Sequence, residues 1–232
     1  MDFFEVVKAR RSIRRFTDEK VPEDVIRKAI DAALIAPNSS NMQMWEFYWV
    51  RNPANREAVV KACFSQPAAA TAAEIVFVVS RVDTWRRNVN LMLTELKKSP
   101  NIKKSALDYY EKLIPTLYTQ DPLGIIGTFK KIGLTIAGIF RPVPRGPTSR
   151  ASLFEMVTKS AALASENLML ALVAQGYACC PMEGYDEARV KKILGLGRNA
   201  HVVMGIGIGR AHPNGLYGPQ IRFDRELFVF EV

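Results

Sequence analysis

The sequence predicts an α+β domain covering residues 1–232, with a helix-rich middle. Three observations carry that reading. Two continuous apolar runs, IVFVVSR (75–81) and HVVMGIGIG (201–209), have the character of strands covered on both faces. Residues 21–34 space their apolar side chains as an amphipathic helix does, and residues 152–175 are rich in Ala, Leu and Met. No internal repeat or sharp change of composition divides the chain, and 232 residues suffice to bury a substantial core.

In chain order, residues 3–10 read as a short helix running into RRSIRRF (10–16). In VPEDVIRKAIDAAL, residues Val25, Ile26, Ala29, Ile30, Ala33 and Leu34 share one stripe. Pro22 suits the first helical position, Glu23 and Asp24 complement the positive end of the helix dipole, and Pro37 and Asn38 stop it. A strand follows at 46–51, then a helix from Pro53 to Cys63, then the strand at 75–81. Residues 84–141 have a helical pattern, apolar and basic, and RPVPRGPTSR (141–150) is a loop. Ser152 and Glu155 fit a capping box for a helix reaching Gln175, apolar almost all round and so expected to be buried centrally or between subunits. YACCPMEGYD leads to a short helix and the strand at 201–209, and RFDRELFVFEV alternates as an extended segment would.

The charge balance, 32 basic against 23 acidic residues for a net +9, favours an anionic partner such as phosphate, nucleotide or nucleic acid. Cys63, Cys179 and Cys180 are too few and too badly spaced for a disulfide framework or a zinc site, and the adjacent pair suits a buried strand. With only His201 and His212, a histidine-rich metal centre is excluded. MDFFEVVKAR lacks a signal-peptide core, so the expected location is the cytoplasm. The apolar stretch 123–140 contains Lys130, Lys131 and four glycines, so it reads as a pair of short helices or a lid rather than a stable membrane insertion.

GIGIG (205–209) lacks the following helix and the acidic residue that a dinucleotide fingerprint requires, and reads as glycines permitting close packing in a strand. There is no P-loop and no G-x-S-x-G elbow. The basic pairs at 86–87, 97–98, 103–104 and 130–131 come without any nucleic-acid-binding motif, so no nucleic-acid partner is expected. RRSIRRF is open to two readings. Alternate residues Arg10, Ser12 and Arg14 could converge on a phosphate, with bidentate guanidinium bonds and a neutral hydroxyl donor, or the cluster could be merely solvated.

RRSIRRFTDEKVP followed by AALIAPNSSNMQMWEFYWV resembles the opening of the nitroreductase family of FMN-dependent oxidoreductases. So does CPMEGYDEARVKKILGL followed by HVVMGIGIGR and Arg222, and the resemblance covers the chain except for about residues 84–150. It implies a nitroreductase-like fold, with a central mixed, mainly antiparallel sheet flanked by helices, in an intertwined homodimer with FMN at two interface sites. Arg10, Arg11 and Ser12 would hold the phosphate and ribityl chain, with Arg222 and Gln220 returning to the phosphate. Arg14 would lie near the flavin N1 and O2. Asn38, Ser39, Ser40 and Asn41 would come from the partner subunit, and Gln66 would contact the ring or ribityl. Pro181, Met182, Glu183 and Gly184 would run along the ring, with a backbone N–H of Glu183 or Gly184 facing N5.

The implied activity is ping-pong: NADH or NADPH reduces FMN, which then reduces a small-molecule acceptor such as a nitroaromatic or quinone. The flavin carries the chemistry, so no catalytic side chain is expected. Met44 departs from the family's proline, and residues 84–150 form a helix-rich insertion or lid with no counterpart in the pattern. The alternatives are a specialised flavin enzyme of this fold, such as a dehydrogenase or dehalogenase, or a non-redox protein binding nucleic acid or a membrane surface.

Overall fold

A computed structural model describes residues 1–121 and 124–232. Four strands, β1 (Trp45–Trp49), β2 (Glu74–Arg81), β3 (Ala178–Met182) and β4 (Ala200–Gly209), form one sheet in the order β1-β2-β4-β3. All three strand pairs are antiparallel. The parallel contribution is an isolated bridge joining Ser12 to Cys179.

The sheet is covered on both faces, which is why β2 and β4 read as unbroken apolar runs. Val76, Val78, Ile206 and Ile208 face α2 (Glu23–Leu34) and α9 (Arg150–Ala174), meeting Ile26, Ala161, Leu168 and Leu172. Ile75, Phe77, Val79 and Val202 face the other way, toward Val59 of α3 (Pro53–Ala62), Ala68 and Ala69 of α4 (Pro67–Ala70), and Val190 of α10 (Glu187–Ile193). Burying a side chain of this kind contributes about 1.5–3 kcal/mol, so both layers hold the sheet. The glycines of β4 are there for close packing, as expected. A Cβ at Gly207 would run into the Ala68 carbonyl oxygen, and one at Gly209 would stand 2.9 Å from the Phe16 side chain.

The middle of the chain is helical: α5 (Trp85–Leu96), α6 (Lys104–Asp108), a π turn (Tyr109–Leu113), α7 (Ile114–Tyr118) and α8 (Ile125–Phe140). Trp85, Tyr110, Ile114 and Tyr118 pack with Met42, Met44 and the first turns of α9 in a third cluster. The remaining helix, α1 (Phe3–Ala9), lies against α9.

Four local expectations need correction. Pro22 stands one step earlier than expected, as the N-cap of α2, with Glu23 and Asp24 in the first turn. The capping box of α9 pairs Ser149 with Ser152, not Ser152 with Glu155. Ser149 Oγ accepts the Ser152 N–H at 3.1 Å and Ser152 Oγ accepts the Ser149 N–H at 2.9 Å, while Glu155 is turned to Lys159. Residues 125–140 form one helix rather than two, because Gly127 and Gly138 are packing positions against Thr148 and Arg145; Leu123 lies outside the described residues. The tail, expected as an extended segment, is interrupted by a 3-10 turn, Arg225–Leu227. Among the described residues, no helix is long and apolar enough to cross a membrane.

Candidate functional site

RRSIRRF leaves the end of α1 and is laid along the free edge of β3. Ser12 pairs with Cys179, and the Ile13 N–H donates to the Cys179 carbonyl at 3.1 Å. Phe16 is buried, its N–H donating to Thr71 Oγ1 at 3.1 Å. Pinning Ile13 and Phe16 inward leaves Arg10, Arg11, Ser12 and Arg14 to line a cavity of about 190 Å³. Its other wall is the segment 216–222, including Tyr217, Gly218, Gln220 and Arg222.

That wall is fastened through the backbone. The Arg14 N–H donates to the Gly215 carbonyl at 2.8 Å, and Arg11 Nη2 donates to the Gly218 carbonyl at 2.8 Å. Glycine is required at 215, where a Cβ would stand 2.5 Å from the Arg15 carbonyl oxygen and 2.8 Å from Ile13. The Arg14 guanidinium lies 5.3 Å from the centre of the Tyr217 ring. Four arginines and no carboxylate line the cavity, the donor set of an anion site. Outside the lining, Glu166 of α9 approaches Arg10 Nε at 3.7 Å and steadies it from behind.

From Cys179 the edge strand runs to Met182 and the chain continues to Gly184, five residues or roughly 16 Å from Cys179. There Gln66 Nε2 donates to the Gly184 carbonyl at 2.7 Å. Glu183 and Gly184 are exposed, Pro181 is half-buried, and the Met182 side chain is turned into the core, so only its backbone faces outward. Beneath this turn the Tyr185 hydroxyl donates to the Val202 carbonyl at 2.6 Å, and burial raises its pKa above the ordinary phenol value.

Residues 38–41 do not join the arginine cavity within this chain. Asn41 instead lines a second cavity of about 330 Å³ with Gln43, Trp45, Arg87 and Met92. Ser40, Asn41 and Gln43 adopt left-handed backbone angles, φ 55°, 49° and 47°. Such residues persist only where neighbours fix them. Here Ser40 Oγ meets Tyr109 Oη at 2.6 Å, Tyr110 Oη donates to the Ser40 carbonyl at 2.9 Å, and Asn88 Nδ2 donates to the Met42 carbonyl at 2.7 Å. Met44 is buried in the third cluster, where its side chain packs with this helical segment. Sequence reasoning missed Asn88, Tyr109, Tyr110 and Tyr217, none of which lies in a motif.

The cysteines offer no nucleophile. Burial pushes the Cys63 thiol up to about 11 and the Cys179 thiol up to about 12, and also raises Cys180.

The fold and its arginine-lined cavity at the sheet edge can be set beside known proteins. The family model described as the Nitroreductase family matches residues 7–210, and the chain belongs to that family. An NADH dehydrogenase of Thermus thermophilus is 23% identical over 216 residues, covering 93% of this chain and 90% of that protein. The crystal structure of ydfN from Bacillus subtilis superimposes with a TM-score of 0.78 at 19% identity, covering 99% of this chain and 98% of the other. A second, from Exiguobacterium sibiricum in complex with FMN, gives a TM-score of 0.73 at 23% identity, covering 100% and 98%.

Proposed function

We propose that the chain is an FMN-dependent NAD(P)H oxidoreductase whose arginine cavity holds the flavin phosphate. The observation that carries this is the convergence of Arg10, Arg11, Ser12, Arg14 and Arg222 on one cavity without a carboxylate in its lining. The Thermus relative is named for NADH and the Exiguobacterium neighbour holds FMN, which supports the choice of donor and cofactor. The fit is chemical: guanidinium groups bind phosphate bidentately, and the Ser12 hydroxyl adds a donor without adding charge.

The proposed site then follows β3. Arg10, Arg11 and Ser12, with Gln220 and Arg222 opposite, hold the phosphate and ribityl end. Arg14 sets a fixed positive charge at the pyrimidine edge, where it favours the negative charge gained on reduction. Gln66 fixes the Gly184 peptide so that a backbone N–H of Glu183 or Gly184 faces N5. FMN, when bound, supplies the redox chemistry, taking two electrons from NADH or NADPH and passing them to a nitroaromatic or quinone acceptor in a ping-pong cycle.

Asn38, Ser39, Ser40 and Asn41 belong, in this reading, to the partner's site in a homodimer. Their position away from the arginine cavity of their own chain supports that assignment. The residue types of the cavity call for no side-chain nucleophile or base. Helices α5 to α8 form the proposed insertion that shapes acceptor access, within one domain.

The purified protein should absorb visible light as a flavoprotein, release FMN on denaturation, and bleach when NADH or NADPH is added without air. Light scattering should give the mass of a dimer. Colourless protein that fails to take up added FMN overturns the reading.

A further inference from the structure

Helix α8 is turned inside out for a helix on a water-soluble body. Its inner face presents Gly127, Lys130, Leu134, Ala137 and Gly138, while its outer face carries Ile125, Phe129, Ile132, Ile136 and Ile139. Those positions recur at spacings of three and four and so form one continuous stripe. Phe129 is 70% exposed and Ile139 is 74% exposed. The inward face is firmly seated: Lys130 Nζ donates to the Thr119 carbonyl at 2.6 Å, and a Cβ at Gly127 would collide with the Thr148 carbonyl. The apolar stripe is thus held outward by the fold.

Two further observations say what meets it. Thr128 and Thr135 are the polar members of the outer face, and neither hydroxyl needs an outside partner. Thr128 Oγ1 donates to the Gly124 carbonyl at 2.9 Å and Thr135 Oγ1 to the Lys131 carbonyl at 2.8 Å. Such back-bonding satisfies a hydroxyl in a medium without water. The second observation is charge. Residues 124–150 contain Lys130, Lys131, Arg141, Arg145 and Arg150 and no acidic residue. The carboxylate at the helix start, Asp121, is engaged by the N–H groups of Ile125 and Ile126 at 2.8 and 2.9 Å.

We infer that the outer face of α8 adsorbs to an anionic lipid bilayer, lying in the plane of the interface. The aliphatic and aromatic stripe enters the boundary between headgroups and acyl chains, and Lys131 and Arg141 meet lipid phosphates. A second copy of this chain is disfavoured as the occupant of this one face, because segment 124–150 holds five cations and no acid and so calls for an anionic counterpart. The helix lies on the membrane and does not span it, since its 16 residues fall short of the roughly 20 that a span needs. The inference stands whether or not the protein binds flavin.

The test is flotation of the purified protein with vesicles of phosphatidylcholine alone or phosphatidylcholine mixed with phosphatidylglycerol. Protein should rise with the anionic vesicles and be released as salt is raised. Ile132→Glu and Phe129→Glu should each abolish flotation, and Lys131→Gln should weaken it about fivefold, the effect of one cation near an anionic surface. Should the glutamate variants misfold, Phe129→Trp decides: its emission should shift to the blue, and be quenched by brominated acyl chains, only with anionic vesicles. Wild-type protein that stays in solution overturns the inference, as does flotation that Ile132→Glu leaves intact. A non-floating wild type whose mass by light scattering falls in Ile132→Glu would show that a second copy covers α8.

Discussion

Gln66 donates its side-chain amide to the carbonyl oxygen of Gly184 at 2.7 Å, joining points 118 residues apart in the chain. Gln66 is the residue before α4, which Gly207 of β4 allows to lie close on the sheet. The turn after β3 is therefore positioned by the sheet itself, through one amide.

Gln66→Ala should weaken FMN binding about two- to tenfold, the range of one neutral hydrogen bond. Gln66→Glu should cost more, because a carboxylate cannot donate to the Gly184 carbonyl and repels it. Fluorescence titration of the flavin-free protein measures both. Unchanged affinity in both variants would remove Gln66 from the site.

On the proposed flavin placement, Arg14→Ala and Arg222→Ala should fail differently, because the two side chains would serve opposite ends of one ligand. Loss of Arg222 would remove the proposed charge-assisted bond to phosphate and should weaken FMN binding about tenfold to a hundredfold, with the remaining flavin reduced at a near-normal rate. Loss of Arg14 should lower the flavin reduction potential and slow reduction by NADH more than it weakens binding of oxidised FMN. If neither variant changes flavin content or reduction while binding to an anionic polymer is lost, the arginines form a polyanion patch.

Gly207→Ala should destabilise the fold by about 1–3 kcal/mol, the cost of inserting a methyl where no space exists. The displaced atom would be the Ala68 carbonyl of α4, so Gln66 should move with it and flavin affinity should fall in parallel. Urea unfolding and FMN titration of one variant check both halves. Gly195→Ala, at a turn with φ 69° and open space around it, should lose stability through backbone strain alone and leave FMN affinity unchanged.

Stability should fall in alkali through Cys179. Its thiol is pushed up to about 12 in the folded chain against an ordinary value of 9.0, so between these values the unfolded state loses the proton that the folded state keeps. The contribution is complete below pH 9.0 and declines by about 1.4 kcal/mol per pH unit above it. Urea midpoints across this range should therefore fall less steeply for Cys179→Ala than for the wild type. Equal slopes would mean that Cys179 does not retain its proton.

How much of this was legible depended on where the information lay. The two-faced burial of β2 and β4 was written in their unbroken apolar runs, and the stripe of α2 in its spacing. The cap of α9 was misplaced because two serines exchange bonds there, a pairing that the usual serine–glutamate pattern does not describe. The glycines of residues 123–140 read as breaks, whereas Gly127 and Gly138 let a continuous helix approach Thr148 and Arg145. At the site, RRSIRRF announced one wall of the cavity by charge. The opposite wall is fastened by the carbonyls of Gly215 and Gly218, and backbone acceptors leave no side-chain signature. Tyr109 and Tyr110, which brace Ser40, sit where no motif pointed.

Arg11 and Gly218, which meet across the cavity, are separated by 207 residues of chain. During synthesis the arginines of residues 10–14 emerge early and wait for segment 216–222, by which point all four strands have already been made. A chain cut after β4 would keep every strand of the sheet and lose one wall of the cavity. Enclosure of the cavity therefore depends on a segment that follows the whole sheet in the chain and contributes no strand to it.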